Sequence, residues 1–378
     1  VRPRVLFVNN QGLASVGGGV TILRHLVHGL AEDHEVTVLS FDRPAPAPDG
    51  VRQRVLPPPP AAPGPLWRAA PLLRARHLRR AMPADALAQA DAVVSLDCHF
   101  AHALGRAPSA RIYLSLSCIP RMEAMAARGA DATLRFAQYA WLERRMVLWA
   151  RRRIVASRMQ EAEMRRAERL PRGLAFDVLA PVFPTDPAPP APAGQDPAVT
   201  ILCGGRLVPG KNYTAAIALA ARLHDLPCRF VVAGDGPEAP ALKAQAAALG
   251  VEGRVAFLGE QPGLAAALAQ TDIFLHPSSY ESFGMAVFEA MQAGVPVMCA
   301  SGAAVTACAE FVRDGVDGVF VDFADLDAAE AALRALVADP ARRVAMGAAA
   351  RQSAAALLAQ DYVARFRAIL AETLRAGR

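Results

Sequence analysis

The chain has 378 residues, a formal net charge of +6 and 53% apolar residues. That length favours two domains, and the apolar share is enough for large cores, which excludes a disordered or fibrous class. No run of about 18 apolar residues occurs, which argues against a membrane-spanning helix. No secretory leader is read either, because Arg2 and Arg4 precede only the short apolar run Val5–Val8.

Arg4–Val8 reads as a strand, followed by the glycine loop Gly17-Gly18-Gly19. A helix is expected from Val20 to about Glu32, with Ile22, Leu23, Leu26, Val27 and Leu30 on one side. Further strands are expected at His34–Ser40, Asp91–Leu96, Arg111–Leu116 and Arg153–Ala156. Short buried strands alternating with helices imply an α/β, doubly wound parallel sheet. Residues 184–197 are rich in proline and read as an extended linker. The pattern then restarts, with strands at Val199–Cys203, Cys228–Ala233, Val255–Leu258, Ile273–Leu275 and Val297–Cys299. Residues 340–378 read as wholly helical.

The expected organisation is an N-terminal Rossmann-like domain over 1–183, the linker 184–197, a second Rossmann-like domain over 198–355, and a C-terminal helix over 356–378 that packs back toward the first domain. Two such domains on one linker predict a cleft between the carboxyl ends of two sheets, where open α/β sheets bind ligands. Charge is uneven. Residues 1–183 hold 26 Arg against 15 Asp and Glu, whereas residues 184–378 hold 15 Lys and Arg against 20 acids. A basic half suggests an anionic partner. The six cysteines form no Cys-x-x-Cys pair and read as reduced core residues of a cytoplasmic protein, not as staples or metal ligands.

The most informative stretch is Pro277–Pro296. It places Glu281 after a short buried strand and Glu289 inside an apolar helix that stops at Gly294-Val295-Pro296. An ionised Glu in apolar surroundings costs several kcal/mol unless paired, so Glu289 calls for a donor-rich partner such as sugar hydroxyls. The helix N-terminus beside Glu281, at Phe283 and Gly284, offers free N–H groups to an anion. Upstream, Cys203-Gly204-Gly205-Arg206-Leu-Val-Pro-Gly-Lys211 follows the first strand of the second domain. Gly205 lets backbone approach a ligand, while Arg206 and Lys211 supply cations. Only two lysines occur in the chain, Lys211 and Lys243. The spacing Gly205 to Gly210-Lys211 also matches the start of a P-loop, but Asn212 stands where Ser or Thr must hold magnesium, and Pro209 removes an N–H. Gly17–Gly19 lacks the spacing and the acid of a nicotinamide site.

Glu281 and Glu289, with seven residues between them, together with the Arg206/Lys211 loop, resemble the donor-site signature of retaining glycosyltransferases of family 4, which have the GT-B fold. Val231–Glu238, Phe257–Glu260 and Glu310–Gly318 follow in that family's order, so the resemblance covers most of residues 199–322; the first domain matches loosely. The resemblance implies that Glu289 holds ribose hydroxyls, Glu281 lies by the transferred sugar, and Arg206 and Lys211 hold the donor diphosphate. Gly18 and Gly19 would lie near acceptor and diphosphate. Many relatives end the strand before the acceptor loop with a His; here that place falls on Ser117, with His99 on the neighbouring strand as the other candidate.

The implied activity is transfer of a sugar from a nucleoside-diphosphate sugar to an acceptor hydroxyl, with retention, by a front-face route that needs neither metal nor cofactor. The acceptor is read as a glycan, a glycolipid or a small molecule, and nucleic acid is not expected as a partner. The basic stretch Pro65–Arg80 suggests peripheral contact with an anionic membrane, whereas Trp141–Arg153 reads as a core-facing helix with a solvated basic side. The competing functions are a sugar-nucleotide epimerase or a phosphorylase of the same fold, and a non-catalytic nucleotide-sugar sensor. Donor incubated without acceptor separates an epimerase from a transferase.

Overall fold

The computed structural model of the chain describes residues 2–15, 17–57, 71–106, 110–116, 130–184 and 198–376. The chain divides into two compact units, Val1–Pro181 together with Asp361–Arg378, and Val182–Gln360. Most of the proline-rich linker, 185–197, lies outside the described residues, as does Ser117.

In the first unit, β1 (Arg4–Val8), β2 (Glu35–Ser40), β3 (Val51–Val55), β4 (Ala92–Ser95), β5 (Ala110–Ser115), β6 (Arg152–Val155) and β7 (Asp177–Val178) form one sheet. Its order is β3-β2-β1-β4-β5-β6-β7 and the paired strands run parallel. Helices cover the inner strands, which is why β4 is buried at every position. The edge strand β3, Val-Arg-Gln-Arg-Val, is half exposed; its polar alternation hides it from a search for apolar runs. Helix α1 (Gly18–Leu30) buries Val20, Ile22, Leu23, Leu26, Val27 and Leu30 at the spacing of one helical face. The unit also holds α2 (Pro71–Ala81), α3 (Ala84–Gln89), α4 (Ala130–Trp149) and α5 (Arg158–Glu168). Ser157 caps α5 by accepting from the Gln160 N–H.

The second unit holds β8 (Val199–Gly204), β9 (Cys228–Ala233), β10 (Val255–Gly259), β11 (Ile273–His276), β12 (Tyr280–Glu281), β13 (Val297–Ala300), β14 (Val305–Thr306) and β15 (Gly318–Val321). Six of these make a parallel sheet in the order β10-β9-β8-β11-β13-β15, and β12 pairs β14 beside it. Its helices are α6 (Tyr213–Arg222), α7 (Ala239–Ala248), α8 (Ala265–Leu268), α9 (Met285–Ala293), α10 (Leu326–Ala338) and α11 (Pro340–Leu358). One core runs from Ile201, Phe230 and Leu275 in the sheet to Leu333 and Met346 in the helices.

Residues 340–375 are helical but not in one helix. Asp361, in a left-handed conformation with φ 43°, interrupts them and caps α12 (Tyr362–Arg375) by accepting from the Ala364 N–H. Helix α12 packs in the first unit. Phe366 stacks on Phe7 at 6.3 Å, Arg152 pairs with Glu372 at 2.7 Å, and Arg367 donates to the Gly29 carbonyl.

Both sheets reverse their strand order once, between β1 and β4 and between β8 and β11. At such a point the loops leaving two adjacent strands diverge to opposite faces and leave a crevice at the carboxyl ends. The loops that follow β8 and β11 carry Arg206, Lys211 and Glu281.

Helix α11 reaches the C-terminal end of α9 at Gly347, where a Cβ would stand 2.1 Å from the Gly294 carbonyl oxygen. Gly347→Ala is therefore expected to destabilise the second unit by about 1–3 kcal/mol, read as a lower melting temperature. Unchanged melting would contradict so close an approach.

Candidate active site

The site of the second unit is assembled from three loops. The first, Gly205–Lys211, leaves β8 and is braced from behind by the turn after β9. The Gly205 N–H donates to the Ala233 carbonyl at 2.9 Å and the Leu207 N–H to the Asp235 carbonyl at 2.9 Å. The two backbones lie so close that a Cβ at Gly234 would stand 2.0 Å from the Gly205 oxygen. Gly234 has φ 140°, which a side chain would strain further. The Gly234-Asp-Gly236 motif thus shapes the loop in front of it.

The second loop runs from β11 to α9. Its Ser279 N–H donates to the Gly210 carbonyl at 2.9 Å, and Ser279 Oγ donates to the same oxygen at 3.2 Å. This clamp joins the loop that carries Lys211 to the loop that carries Glu281. Glu281 is not in an irregular loop, as expected from sequence, but in the short strand β12, held by pairing with Thr306 of β14. The third piece is the segment Thr306–Phe311. Phe283 stacks on Phe311 at 4.9 Å between ring centroids. Gly284 has φ 102°, and a Cβ there would meet Cys308 Sγ at 2.9 Å.

These constraints bring Lys211 Nζ onto Glu281 Oε2. His276, the last residue of β11, places its Nε2 3.2 Å from the same oxygen. The Glu281 side chain is only 14% exposed. Burial works against its charge, but the Lys211 ammonium and the His276 contact outweigh it and hold the carboxyl well below the usual carboxylate range. Tyr213, fully buried at the start of α6, brings its hydroxyl within 3.2 Å of where a Gly205 Cβ would stand, and that hydroxyl has no hydrogen-bond partner among the described residues.

Arg206 is exposed and makes no ion pair among the described residues. The N–H groups of Phe283 and Gly284, at the head of α9, donate to no acceptor among the described residues. Among the described residues, Glu281 thus has Lys211 as an engaged cation, while Arg206 on the same loop as Lys211 and the N–H groups at the head of α9 make no such contact. Glu289, about one turn into α9, faces the opposite circumstances. It has no partner among the described residues, and burial pushes its carboxyl up to about 7.

In the first unit, His99 follows β4 and Asn10 follows β1, on the two sides of the switch point. His99 Nδ1 lies 2.6 Å from Asp97 Oδ1, and the Asn10 amide donates to Asp97 Oδ2. The His99 ring meets Tyr139 edge-on at 5.3 Å, and its Nε2 is buried without a hydrogen-bond partner among the described residues. Asp97, Cys98 and His99 bring three ligand types within 4.8 Å. The Asp97 oxygens are already engaged by Asn10 and His99, and burial pushes the Cys98 thiol up. That donor set fits a hydrogen-bond network better than a metal. Gly18 and Gly19 form the first turn of α1, after Gly17 with φ 139°.

Lys211, Glu281, Phe283, Gly284 and Gly205 therefore share one locality, whereas His99, Gly18 and Gly19 belong to the other unit. His276, Tyr213 and Ser279 carry no role in the sequence reading. The only available signal was a histidine ending a buried strand before Pro277.

Two family models match the chain. One, described as glycosyl transferases group 1, covers residues 190–353; the other, Glycosyltransferase Family 4, covers residues 16–175. The chain is similar to the lipopolysaccharide core biosynthesis glycosyltransferase LpsE of Rhizobium meliloti, 34% identical over 146 residues that make up 39% of this chain and 42% of that one. It is also similar to the GDP-mannose-dependent alpha-(1-6)-phosphatidylinositol monomannoside mannosyltransferase of Mycolicibacterium smegmatis, 35% identical over 200 residues, 49% of this chain and 50% of that one. The chain thus matches about half or less of the length of these curated relatives. Among solved structures, it resembles sucrose-phosphate synthase from Thermosynechococcus elongatus, with a TM-score of 0.82 at 18% identity over 100% of both chains. It likewise resembles HepE of Anabaena in complex with UDP and glucose, with a TM-score of 0.73 at 19% identity over 97% of this chain and 99% of that one. At these identities the likeness carries the fold, which is GT-B.

Glu289 yields a prediction with a definite sign. Its folded carboxyl titrates at about 7 against an ordinary 4.5, so the native chain holds an extra proton between these values. Stability then falls as pH rises through that window. Glu289→Gln is expected to melt higher than the wild type above pH 7, by about 1–3 kcal/mol, and to match it below the ordinary carboxylate value. Identical melting profiles across the window would contradict the unpaired buried carboxyl.

Proposed function

Because the chain belongs to glycosyltransferase family 4, we propose that it transfers a sugar from a nucleoside-diphosphate sugar to an acceptor hydroxyl with retention of the anomeric configuration. The observation that carries this reading is the contact of Lys211 with Glu281 at the switch point of the second sheet. It sets a cation and a carboxylate side by side, close to the head of α9, and Arg206 on the loop of Lys211 makes no ion pair among the described residues.

Breaking the glycosidic bond makes the anomeric carbon oxocarbenium-like and loads negative charge onto the departing diphosphate. Preorganised donors aimed at that developing charge lower the barrier most. Arg206, Lys211 and the N–H groups of Phe283 and Gly284 are such donors. They supply the positive charge that a divalent ion provides elsewhere, so the proposed reaction uses neither metal nor cofactor. Glu281 takes the sugar side. Its Oε2 is held by Lys211, with His276 Nε2 3.2 Å away, which suits positioning and charge stabilisation rather than nucleophilic attack. The departing phosphate oxygen takes the proton of the acceptor hydroxyl as that hydroxyl bonds to the anomeric carbon on the same face.

Glu289 takes the ribose. Hydroxyl donors from a bound nucleotide would give its unpartnered carboxyl the hydrogen bonds it lacks in the free chain. One relative is named for GDP-mannose and one structural neighbour was solved with UDP and glucose, so the donor panel is UDP-, GDP-, ADP- and TDP-sugars. By the resemblance, Gly18 and Gly19 would serve the diphosphate and the acceptor, and His99 the sugar or acceptor.

Against the donor that the panel selects, Glu281→Ala is expected to lower turnover about 100-fold or more while nucleotide binding persists. Lys211→Ala should impair both binding and turnover, and the product anomer, read by proton NMR, should match the donor's. Wild-type turnover in Lys211→Ala, or an inverted product, would overturn the assignment.

A lipid-linked acceptor, and with it peripheral contact with an anionic membrane, is favoured by one further observation. Helix α2 exposes Leu72 and Leu73 together with Arg76, Arg79 and Arg80, and it contains no acid. Helix α4, read from sequence as core-facing, buries Leu142, Met146 and Val147 but leaves Leu134, Trp141 and Leu148 exposed, with Arg145 over the Trp141 ring at 4.9 Å. Apolar side chains among arginines that form no ion pair with the described residues suit an anionic bilayer surface. The chain is expected to float with vesicles containing phosphatidylglycerol and not with phosphatidylcholine alone, and salt should weaken the association. Equal behaviour on both vesicles would remove membrane contact.

A further inference from the structure

Glu281 Oε2 receives two groups of different character. Lys211 stands on a loop at the end of a flexible four-carbon stem. His276 closes the central strand β11, only 2% exposed, with its ring stacked on Phe274 at 6.1 Å and Cys299 beside it on β13. Pro277 follows it directly, so the backbone there has little freedom. In the proposed reaction Lys211 is needed by the diphosphate. When it turns to the phosphate, the nearly buried Glu281 loses its cation, and the rigid ring of His276 is what remains on Oε2.

We propose that His276 is the positioning residue of Glu281. Its Nε2 stands 3.2 Å from Oε2 without a completed hydrogen bond in the free chain; once Lys211 serves the diphosphate, the Nε2 hydrogen closes on Oε2 and keeps Oε1 directed to the sugar. This inference rests on the reading of Glu281 as the sugar-side carboxylate.

The charged and titratable groups around His276 fit the role. Burial lowers its affinity for a second proton, Lys211 acts in the same direction, and Glu281 opposes both. Cys299, the remaining neighbour, is a buried thiol pushed up by its contact with Cys308 and by burial. Tyr213 feels the Glu281 charge and is likewise pushed up, burial being the main cause. Neither supplies a charge near neutral pH. The ring is therefore neutral in the free chain, and the proposed role requires its single hydrogen on Nε2, the nitrogen that lies 3.2 Å from the carboxylate. When Lys211 turns away, a cation that disfavours protonation is lost. The His276–Glu281 pair then takes up a proton at a higher pH than in the free chain, which places an acid limb in the pH profile of turnover.

The test uses the full chain with two variants. His276→Phe keeps the ring volume and removes the donor; His276→Gln keeps an N–H donor at similar reach. Both are expected to bind nucleotide within about twofold of wild type, because the contact is with Glu281 and not with the diphosphate. His276→Phe should lose about 10- to 100-fold in kcat with little change in KM, the loss typical of a misplaced catalytic group. His276→Gln should retain most of kcat and lose the acid limb. Wild-type kcat in His276→Phe would overturn the proposal. Equal losses in both variants would do so too, since packing alone would then explain them.

Glu281→Gln, run in parallel, separates the two levels. If it keeps full turnover, the reading of Glu281 fails. If it is inactive while His276→Phe is fully active, only the role of His276 fails. Long-range proton–nitrogen spectra of the ring give a readout that needs no activity. The Nε2–H form should persist when UDP or GDP is added to wild type, and loss of that hydrogen on nucleotide binding would refute the proposal.

Discussion

The second unit depends on the cation that Lys211 places on Glu281. A carboxylate withdrawn from water to this extent is destabilising by several kcal/mol unless its charge is answered, and the answer here comes from a residue seventy positions earlier. For Lys211 to arrive, its loop must lie against the loop of Glu281. The Ser279 clamp on Gly210 provides this, while the backbone contact of Gly205 with Gly234 fixes the loop from the other side. A lysine and a glutamate on unconstrained loops would each stay solvated. The glycines are therefore as much part of the electrostatics as the charges are.

Two glutamates on consecutive elements meet opposite environments. Glu281 has a cation and a histidine on one oxygen and stays ionised far into acid. Glu289 has no partner among the described residues, and burial pushes its carboxyl up to about 7. The first is an anion ready to face positive charge developing on a sugar. The second lacks hydrogen-bond donors, and vicinal hydroxyls are of that kind. Environments that drive two carboxyls apart are a common way for one site to give two acids different tasks. The first unit shows a related arrangement at its own switch point, where Asp97 orients His99 and Nε2 has no partner among the described residues.

Much of this was legible in the chain. The alternation of short apolar strands with amphipathic helices predicted two parallel sheets, and Gly294-Val295-Pro296 marked the end of α9 where the structure places it. Local signals of this kind are carried by residues within one turn or one strand of each other. Two kinds of element escaped. The edge strand β3 has Arg-Gln-Arg at its three central positions and Val only at its ends, so it lacks the apolar run of an inner strand. The break before α12 rests on Asp361 adopting a left-handed conformation that its side chain compensates by capping, a choice that alanine-rich flanks do not announce.

The site divides along the same line. Residue types and their spacing, Arg206 with Lys211 and Glu281 with Glu289, were enough to indicate an anion-binding sugar site, because charge and hydrogen-bonding capacity belong to the side chain wherever it lies. They did not show that Lys211 and Glu281 are in contact, that Glu281 belongs to a strand, or that His276 shares its oxygen. Nor did they distinguish the apolar side chains of α4 that are covered from those left exposed. Those facts depend on which strands are neighbours and which backbones touch, and neighbours in a parallel sheet are joined by crossovers dozens of residues long. Distance along the chain therefore carries no record of them. Packing decides them, and with them the protonation state of each acid.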